Sequence, residues 1–172
     1  MCFAVAPEFV ILNAMSEHPF EPRFGRDYAS LLPSVQHGGG RAERMQTFVD
    51  TLWDALHAAG VSWLGFYLHE GGDELVLGPR RDQPACSPIG MHGACGRALR
   101  SGEPLIVRDV ADLGPNYIAC DPRDCSELVI PLFDESGRCY GVLDLDSHEV
   151  GAFARTDLDG LLTLLRRAGL TA

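Results

Sequence analysis

The stretch "SELVIPLFDESGRCYGVLDLDS", residues 126–147, decides the fold. Aliphatic and β-branched residues fill both of its halves, "ELVIPLF" and "CYGVLDLDS", as is typical of strands. Between them "DESG", Asp134–Gly137, has the composition of a tight turn. We therefore predict that the two halves form strands that pair antiparallel to each other across this turn.

The second half of this hairpin carries two aspartates that alternate with leucines. Alternate side chains of a strand share a face, so Val142, Asp144 and Asp146 point one way. Pairing across the turn brings Glu127 close to Asp146 at the open end of the hairpin. Either the aspartates face water, or the three carboxylates form one patch in which crowding raises at least one pKa. In the second case a neutral carboxylic acid can donate a proton to an oxygen.

The rest of the chain supplies helices and a second hairpin. Residues 41–60, "RAERMQTFVDTLWDALHAAG", place apolar side chains at spacings of three and four, which predicts an amphipathic helix that ends at Gly60. The other predicted elements are strands at Val61–Leu68, Glu74–Gly78 and Pro104–Val110, a short helix at Gly93–Gly102 and a last helix from Thr156. This order predicts an α+β fold, with a central antiparallel β-sheet and helices packed on one face.

Length and charge limit the possible functions. A chain of 172 residues suits one domain, and we interpret residues 1–27 as an N-terminal arm before a single domain at 28–172. The net charge of −10 weighs against nucleic acid or an anionic membrane as a partner, because both need clustered Lys and Arg. The sequence shows no membrane span and no signal peptide, so we expect a cytoplasmic location.

The cysteines are the candidates for redox chemistry. They are Cys2, Cys86, Cys95, Cys120, Cys125 and Cys139. In a reducing compartment, clustered thiols are more often catalytic, redox-active or metal-bound than structural. No C-x-x-C pair occurs and no two histidines have the spacing of a zincin, so we expect neither a metal nor a cofactor.

The sequence around each cysteine suggests which of these thiols have a chemical role. Cys120 and Cys125 flank "DPRD" in a loop that leads into Glu127, and Cys86 lies in a proline-flanked loop. Cys95 lies near the start of the short predicted helix, where the helix dipole lowers the pKa of a thiol. Cys139, beside aromatic and aliphatic residues, fits a packing role better than a chemical one.

Two aromatic residues share a face of the predicted strand at 61–68. Trp63 and Tyr67 are four residues apart, an even spacing that puts their side chains on the same side of the sheet. They are either core residues or the wall of a site for a small ligand with an apolar or sulfur-bearing end. His92, close to Cys95 in sequence, either tunes that thiol or lies in a solvated loop.

Taken in order, "WLGFYL", "ELVLGP", "PAC", "GACG", "YIACD", "SELVIPL" and "GVLDLDS" resemble the free methionine-(R)-sulfoxide reductases. These are stand-alone GAF-domain enzymes, and the resemblance spans residues 28–165. It implies a GAF fold, which often dimerises through its helices. It also implies reduction of the R epimer of free methionine sulfoxide, with thioredoxin as the reductant. The alternative is a GAF module that binds a small ligand or senses redox state without catalysis.

The resemblance also implies a role for each candidate residue. Cys120 is the nucleophile, and Cys86 and Cys95 are the resolving pair. The side chains that bind the sulfoxide end are Glu127, Asp144 and Asp146. Trp63 and Tyr67 enclose the methyl-sulfinyl end, and Cys125 is a candidate for an additional resolving thiol.

Overall fold

The computed structural model of the protein describes residues 24–35, 38–81, 85–114 and 120–172. The helices within these ranges are α1 (Arg41–Leu56), α2 (Ala94–Ser101) and α3 (Arg155–Arg167), with short 3₁₀ turns at Ala29–Leu31, His57–Ala59 and Val110–Leu113. The strands are β1 (Trp63–Leu68), β2 (Glu74–Arg81), β3 (Ile89–Gly90), β4 (Leu105–Val107), β5 (Ser126–Phe133) and β6 (Cys139–Ser147). They form one sheet in the order β3-β2-β1-β6-β5-β4, with every neighbouring pair antiparallel.

The hairpin predicted from the sequence forms the middle of this sheet. β5 pairs with β6 so that Glu127 lies opposite Asp146 and Val129 lies opposite Asp144. β6 also pairs with β1 on its other side. The backbone of β6 is therefore held by hydrogen bonds on both edges, which makes it a rigid support for its side chains.

The two faces of the sheet bury different cores. The face of Leu143 and Leu145 packs against α1 and α3. On the opposite face, α2 packs through Cys95 and Ala98 near Val142. The predicted α+β fold is confirmed, but the helices do not all pack on the same face of the sheet. α1 and α3 share a face as expected, but α2 covers the other face, because its own short apolar side requires a separate partner.

Other element boundaries follow local sequence signals. α1 ends in a 3₁₀ turn that stops at Gly60, where φ is +86° and a side chain would be strained. β3 was not predicted, because a strand of two residues is too short to show periodicity. The predicted strand at 104–110 shortens to β4. No helix among the described residues combines the length and apolarity that a bilayer crossing requires.

The chain before the first helix is attached to the domain. Arg26 donates from Nε and Nη2 to the Ala59 carbonyl oxygen, and from Nη1 to Asp157 Oδ1 at 3.0 Å. The Tyr28 hydroxyl donates to the same Asp157 oxygen at 2.7 Å, and the other oxygen accepts the Ala154 N–H that begins α3. Residues 24–28 thus connect α3 to the corner before β1. Most of the predicted arm, residues 1–23 with Cys2, lies outside the described residues.

Candidate active site

A cavity of about 940 Å³ lies on the α2 side of the sheet. Eight of the candidate side chains line it, namely Trp63, Tyr67, Cys86, Cys95, Cys120, Glu127, Asp144 and Asp146, whereas Cys125 does not. They come from three central strands, from α2 and from two loops. A volume of this size is typical of sites for small molecules.

The three carboxylates form one buried group in the floor of the cavity. Glu127 is 4% exposed, Asp144 5% and Asp146 9%. Of the two possibilities that the sequence left open, the aspartates that face water are therefore excluded. The reason is α2, which packs over this face of the sheet and removes the carboxyl groups from bulk solvent.

Burial changes the acidity of these groups. It raises the pKa of Asp144 to about 7, with a further upward contribution from the negative charge of Asp124. Burial, followed by the charges of Asp144 and Glu127, also raises the pKa of Asp146 well above its usual value. At neutral pH the group therefore retains protons that exposed carboxylates lack, so it can donate a proton to a bound ligand.

Cys95 is in direct contact with this acidic group. Its thiol donates a hydrogen bond from Sγ to Asp144 Oδ2 at 3.2 Å. Burial, followed by the charges of Asp144 and Glu127, raises the pKa of Cys95 well above that of a free thiol. The expectation that the dipole of α2 lowers this pKa is wrong, because burial beside carboxylates outweighs a partial charge at a short helix.

The other two predicted thiols meet at a different part of the cavity. Cys120 hydrogen-bonds with Cys86 and with Tyr67, while the Tyr67 hydroxyl also donates to the Cys86 carbonyl oxygen at 3.0 Å. Partial desolvation raises the pKa of Cys120 to about 11, and the hydrogen bond from the Cys86 backbone acts in the opposite direction. Both cysteines are exposed, unlike Cys95. Accessible, adjacent thiols are the arrangement that disulfide formation requires.

The aromatic pair forms one wall of the cavity. Trp63 and Tyr67 have ring centroids 5.9 Å apart and are both buried, which confirms that they share a face. Gly65 lies between them, and a Cβ atom there would come within 2.6 Å of the Trp63 ring. The Trp63 ring therefore occupies the space over residue 65, which is open only because this residue has no side chain.

A second cluster, which no sequence pattern indicates, lines the same cavity. Asp124 is buried, accepts a hydrogen bond from Ser62 Oγ at 3.4 Å and lies 3.7 Å from His148 Nε2. His148 also lies 3.6 Å from Asp121, which Arg123 contacts at 2.6 Å. Burial, followed by the charge of Asp121, raises the pKa of Asp124. The acidic "DPRD" loop is visible in the sequence, but no local pattern pairs it with His148, which directly follows β6.

Among the described residues, two sets of side chains have the spacing needed to hold a cation. They are Cys95 with Glu127 and Asp144, and Asp121 with Asp124 and His148, each with ligand atoms within 4.8 Å of one another. Carboxylate, imidazole and thiolate are ligands that zinc accepts. The acidic groups of the first set are also those with protons to donate, so its chemistry fits acid catalysis equally well.

Comparison with known proteins places these features in context. The GAF domain family matches residues 40–171. The free methionine-R-sulfoxide reductase of Escherichia coli is 34% identical over 156 residues, which cover 88% of this chain and 87% of that protein. The protein of the same name from Saccharomyces cerevisiae is 35% identical over 120 residues, which cover 67% of this chain and 66% of that protein. The X-ray structure of free methionine-R-sulfoxide reductase from Neisseria meningitidis in complex with its substrate is 33% identical, with a TM-score of 0.74, covering 87% of this chain and 93% of that chain.

Proposed function

The chain belongs to the GAF domain family and to its branch of free methionine-R-sulfoxide reductases, and we propose that it reduces free L-methionine-(R)-sulfoxide to L-methionine. One observation carries the proposal: a cysteine, a buried acidic group and an aromatic wall line the same cavity. Such a cavity offers a nucleophile for the sulfoxide sulfur, protons for its oxygen and an apolar surface for its methyl group.

The proposed reaction begins at Cys120. Its thiolate, which the hydrogen bond from the Cys86 backbone favours, attacks the sulfoxide sulfur. The S–O bond weakens as the oxygen accepts a proton, and Asp144, with a pKa of about 7, is a suitable donor at neutral pH. Methionine leaves, and Cys120 is left as a sulfenic acid. Condensation with a second thiol forms a disulfide and releases water, so one sulfoxide and two thiols give methionine, one disulfide and one water.

The contacts favour Cys86 as the second thiol. Its side chain lies within hydrogen-bonding distance of Cys120, and both cysteines are exposed to an incoming reductant. We propose that thioredoxin reduces the Cys86–Cys120 disulfide by thiol exchange at this open edge. The resemblance implies a different pairing, Cys86–Cys95, which is the alternative to this one. This alternative requires Cys95 to leave its hydrogen bond to Asp144.

The specificity for a free amino acid is proposed from the position of the acidic group. Glu127, Asp144 and Asp146 lie at the buried end of the cavity, so the sulfoxide end must enter first. A methionine sulfoxide within a peptide carries chain on both sides of its α-carbon. We expect the walls formed by Trp63 and α2 to admit a side chain that enters end-on and to exclude a residue with chain on both sides.

The test is an epimer-resolved assay with free and peptide-bound methionine sulfoxide. We expect conversion of the free R epimer alone, with thioredoxin or dithiothreitol as the reductant. The control is Cys120→Ser, which we expect to be inactive with either reductant. Saturable binding of methionine sulfoxide without methionine formation would instead support a ligand-binding or redox-sensing module.

The thiol chemistry also sets conditions for the protein in the cell. Free thiols at Cys86 and Cys120 require a reducing compartment, so we propose a cytoplasmic location. A homodimer through the helices stays a prediction, which light scattering at several protein concentrations can test.

A further inference from the structure

We propose that Cys95 is a positioning residue, whose thiol remains reduced throughout the catalytic cycle and donates the hydrogen bond that orients the Asp144 carboxyl group. This proposal rests on the proposed reductase function of the same cavity. Cys95, in the first turn of α2, would then have a different role from Cys86, which lies in the loop before β3.

The geometry around Cys95 is that of a fixed hydrogen-bond donor. The residue lies in the first turn of α2, is 5% exposed, and packs with Ala98, Val129 and Val142. Its Sγ donates to Asp144 Oδ2 at 3.2 Å. Asp144 extends from the central strand β6, so the hydrogen bond joins the helix that covers the cavity to the strand that forms its floor.

The second oxygen of Asp144 shows what this hydrogen bond achieves. Asp144 Oδ1 is buried and has no hydrogen-bond partner within the described part of the chain. An unpaired buried acceptor is costly, so natural proteins retain one where a ligand supplies the partner. Cys95 holds Oδ2, a hydrogen bond with Glu127 also acts on the Asp144 carboxyl group, and Oδ1 remains for the substrate.

The charges that face Asp144 favour a proton on the Cys95 sulfur. They are Glu127 of β5, Asp146 of β6, Asp124 of the preceding loop, and the ionisable groups of Tyr67 and Cys120. A thiolate at Cys95 would add one more negative charge to this acidic group. The S–H form avoids that repulsion and keeps the donor that Asp144 needs.

A disulfide at Cys95 would remove this donor. It would also require a buried sulfur to leave the packing between α2 and the sheet, whereas Cys86 already contacts Cys120 at the exposed edge. Cys86 is therefore the thiol nearest to the nucleophile Cys120, and the Cys95 thiol can continue to hydrogen-bond Asp144.

The first experiment compares Cys95→Ser with Cys95→Ala in single-turnover reactions without reductant. The serine hydroxyl still donates to Asp144, so we expect a rate within about threefold of wild type, whereas loss of the hydrogen bond that orients the carboxyl group predicts about a 10-fold decrease for alanine. A resolving role predicts instead that both variants complete the first turnover at the wild-type rate and both stop with thioredoxin. That result would overturn the proposal.

The pH profile provides a readout that a purely structural role would not change. The single-turnover rate falls at high pH as the proton donor ionises, and the Cys95 hydrogen bond stabilises ionised Asp144. Removing the donor raises the pKa of Asp144, so the alkaline limb of the alanine variant shifts to higher pH, while the serine variant retains the wild-type limb. An unshifted limb in the alanine variant would contradict the proposal.

A measurement on the wild-type protein avoids dependence on the folding of variants. After one turnover without reductant, the protein is unfolded, alkylated and mapped by mass spectrometry. We expect alkylation at Cys95 and protection of Cys86 and Cys120, and a disulfide at Cys95 in most molecules would refute the proposal. Failure of the wild type to form methionine would reject the proposed function itself, a result distinct from a working enzyme whose Cys95 is oxidised.

Discussion

Glu127 and Asp146 lie directly opposite each other on β5 and β6, and both carboxyl groups are buried under α2. Opposite residues of an antiparallel pair have Cβ atoms about 5 Å apart, so two negative charges at this place repel each other strongly. The arrangement lowers the free energy of unfolding unless a proton is shared within the group. In the proposed reaction, the sulfoxide oxygen accepts the proton that this group holds.

Replacing Glu127 tests that use. Glu127→Gln keeps the shape and removes the charge, and we expect a single-turnover rate about 10²-fold below wild type, the lower range for loss of general acid catalysis. The matched control is Asp159→Asn on the exposed face of α3, which we expect to be as active as wild type. Equal rates for the two variants would remove Glu127 from the mechanism.

Stability should depend on pH through Asp144. Burial raises its pKa in the folded protein from 3.8 to about 7, so between these values the folded state holds a proton that the unfolded chain has lost. The stabilising contribution is complete below pH 3.8 and is lost as the pH rises towards 7, at up to about 1.4 kcal/mol per pH unit.

The check is a comparison of melting temperatures of wild type and Asp144→Asn from pH 4 to pH 8. We expect the variant to gain stability relative to wild type as the pH rises, because asparagine does not ionise. Asp146 and Asp124, whose pKa values are also raised, leave a residual slope in both proteins. Parallel curves would show that Asp144 ionises equally in the folded and unfolded states.

The sequence predicts this site up to the step that requires tertiary structure. Alternation in "VLDLDS" correctly puts Asp144 and Asp146 on one face, and the turn at 134–137 correctly pairs Glu127 with Asp146. Strand periodicity does not reveal which face a helix covers, so burial of the acids and the raised pKa of Cys95 were not predictable. The contact of His148 with Asp124 was missed for the same reason, since it joins loops 24 residues apart in sequence.

The number of turnovers that each cysteine variant completes should distinguish the resolving cysteine from the others. We expect Cys86→Ser to form about one methionine per protein and then to stop with thioredoxin, because Cys120 lacks its adjacent thiol. The matched control is Cys139→Ser, a half-buried cysteine outside the cavity, which should turn over repeatedly. Full thioredoxin-dependent turnover by Cys86→Ser would assign the resolving role to another thiol, and Cys125→Ser in that background would test the additional candidate.

The aromatic wall should depend on the glycine beneath it. A Cβ at residue 65 would come within 2.6 Å of the Trp63 ring and 2.7 Å of Arg80 Cβ, so Gly65→Ala must displace the indole. We expect weaker substrate binding, measured as a higher KM, with a smaller effect on the rate at saturation. Gly25→Ala is the control, because a Cβ there meets no atom within 4 Å. An unchanged KM in Gly65→Ala would exclude Trp63 from substrate binding.

The attachment of residues 24–28 should make a large contribution to stability. The Arg26 and Asp157 side chains are 1% and 2% exposed, so Arg26→Met leaves a buried carboxylate without its cation, at a cost of about 3 kcal/mol. For a chain of this length, that corresponds to a decrease of roughly 6–12 °C in the melting temperature. Arg155→Met is the control, because the Arg155–Asp159 pair is exposed and such pairs contribute less than about 1 kcal/mol. Equal melting temperatures for the two variants would contradict this expectation. Because Arg26 also holds the Ala59 carbonyl before β1, we expect a higher KM for the Arg26 variant as well, and an unchanged KM would contradict that second expectation.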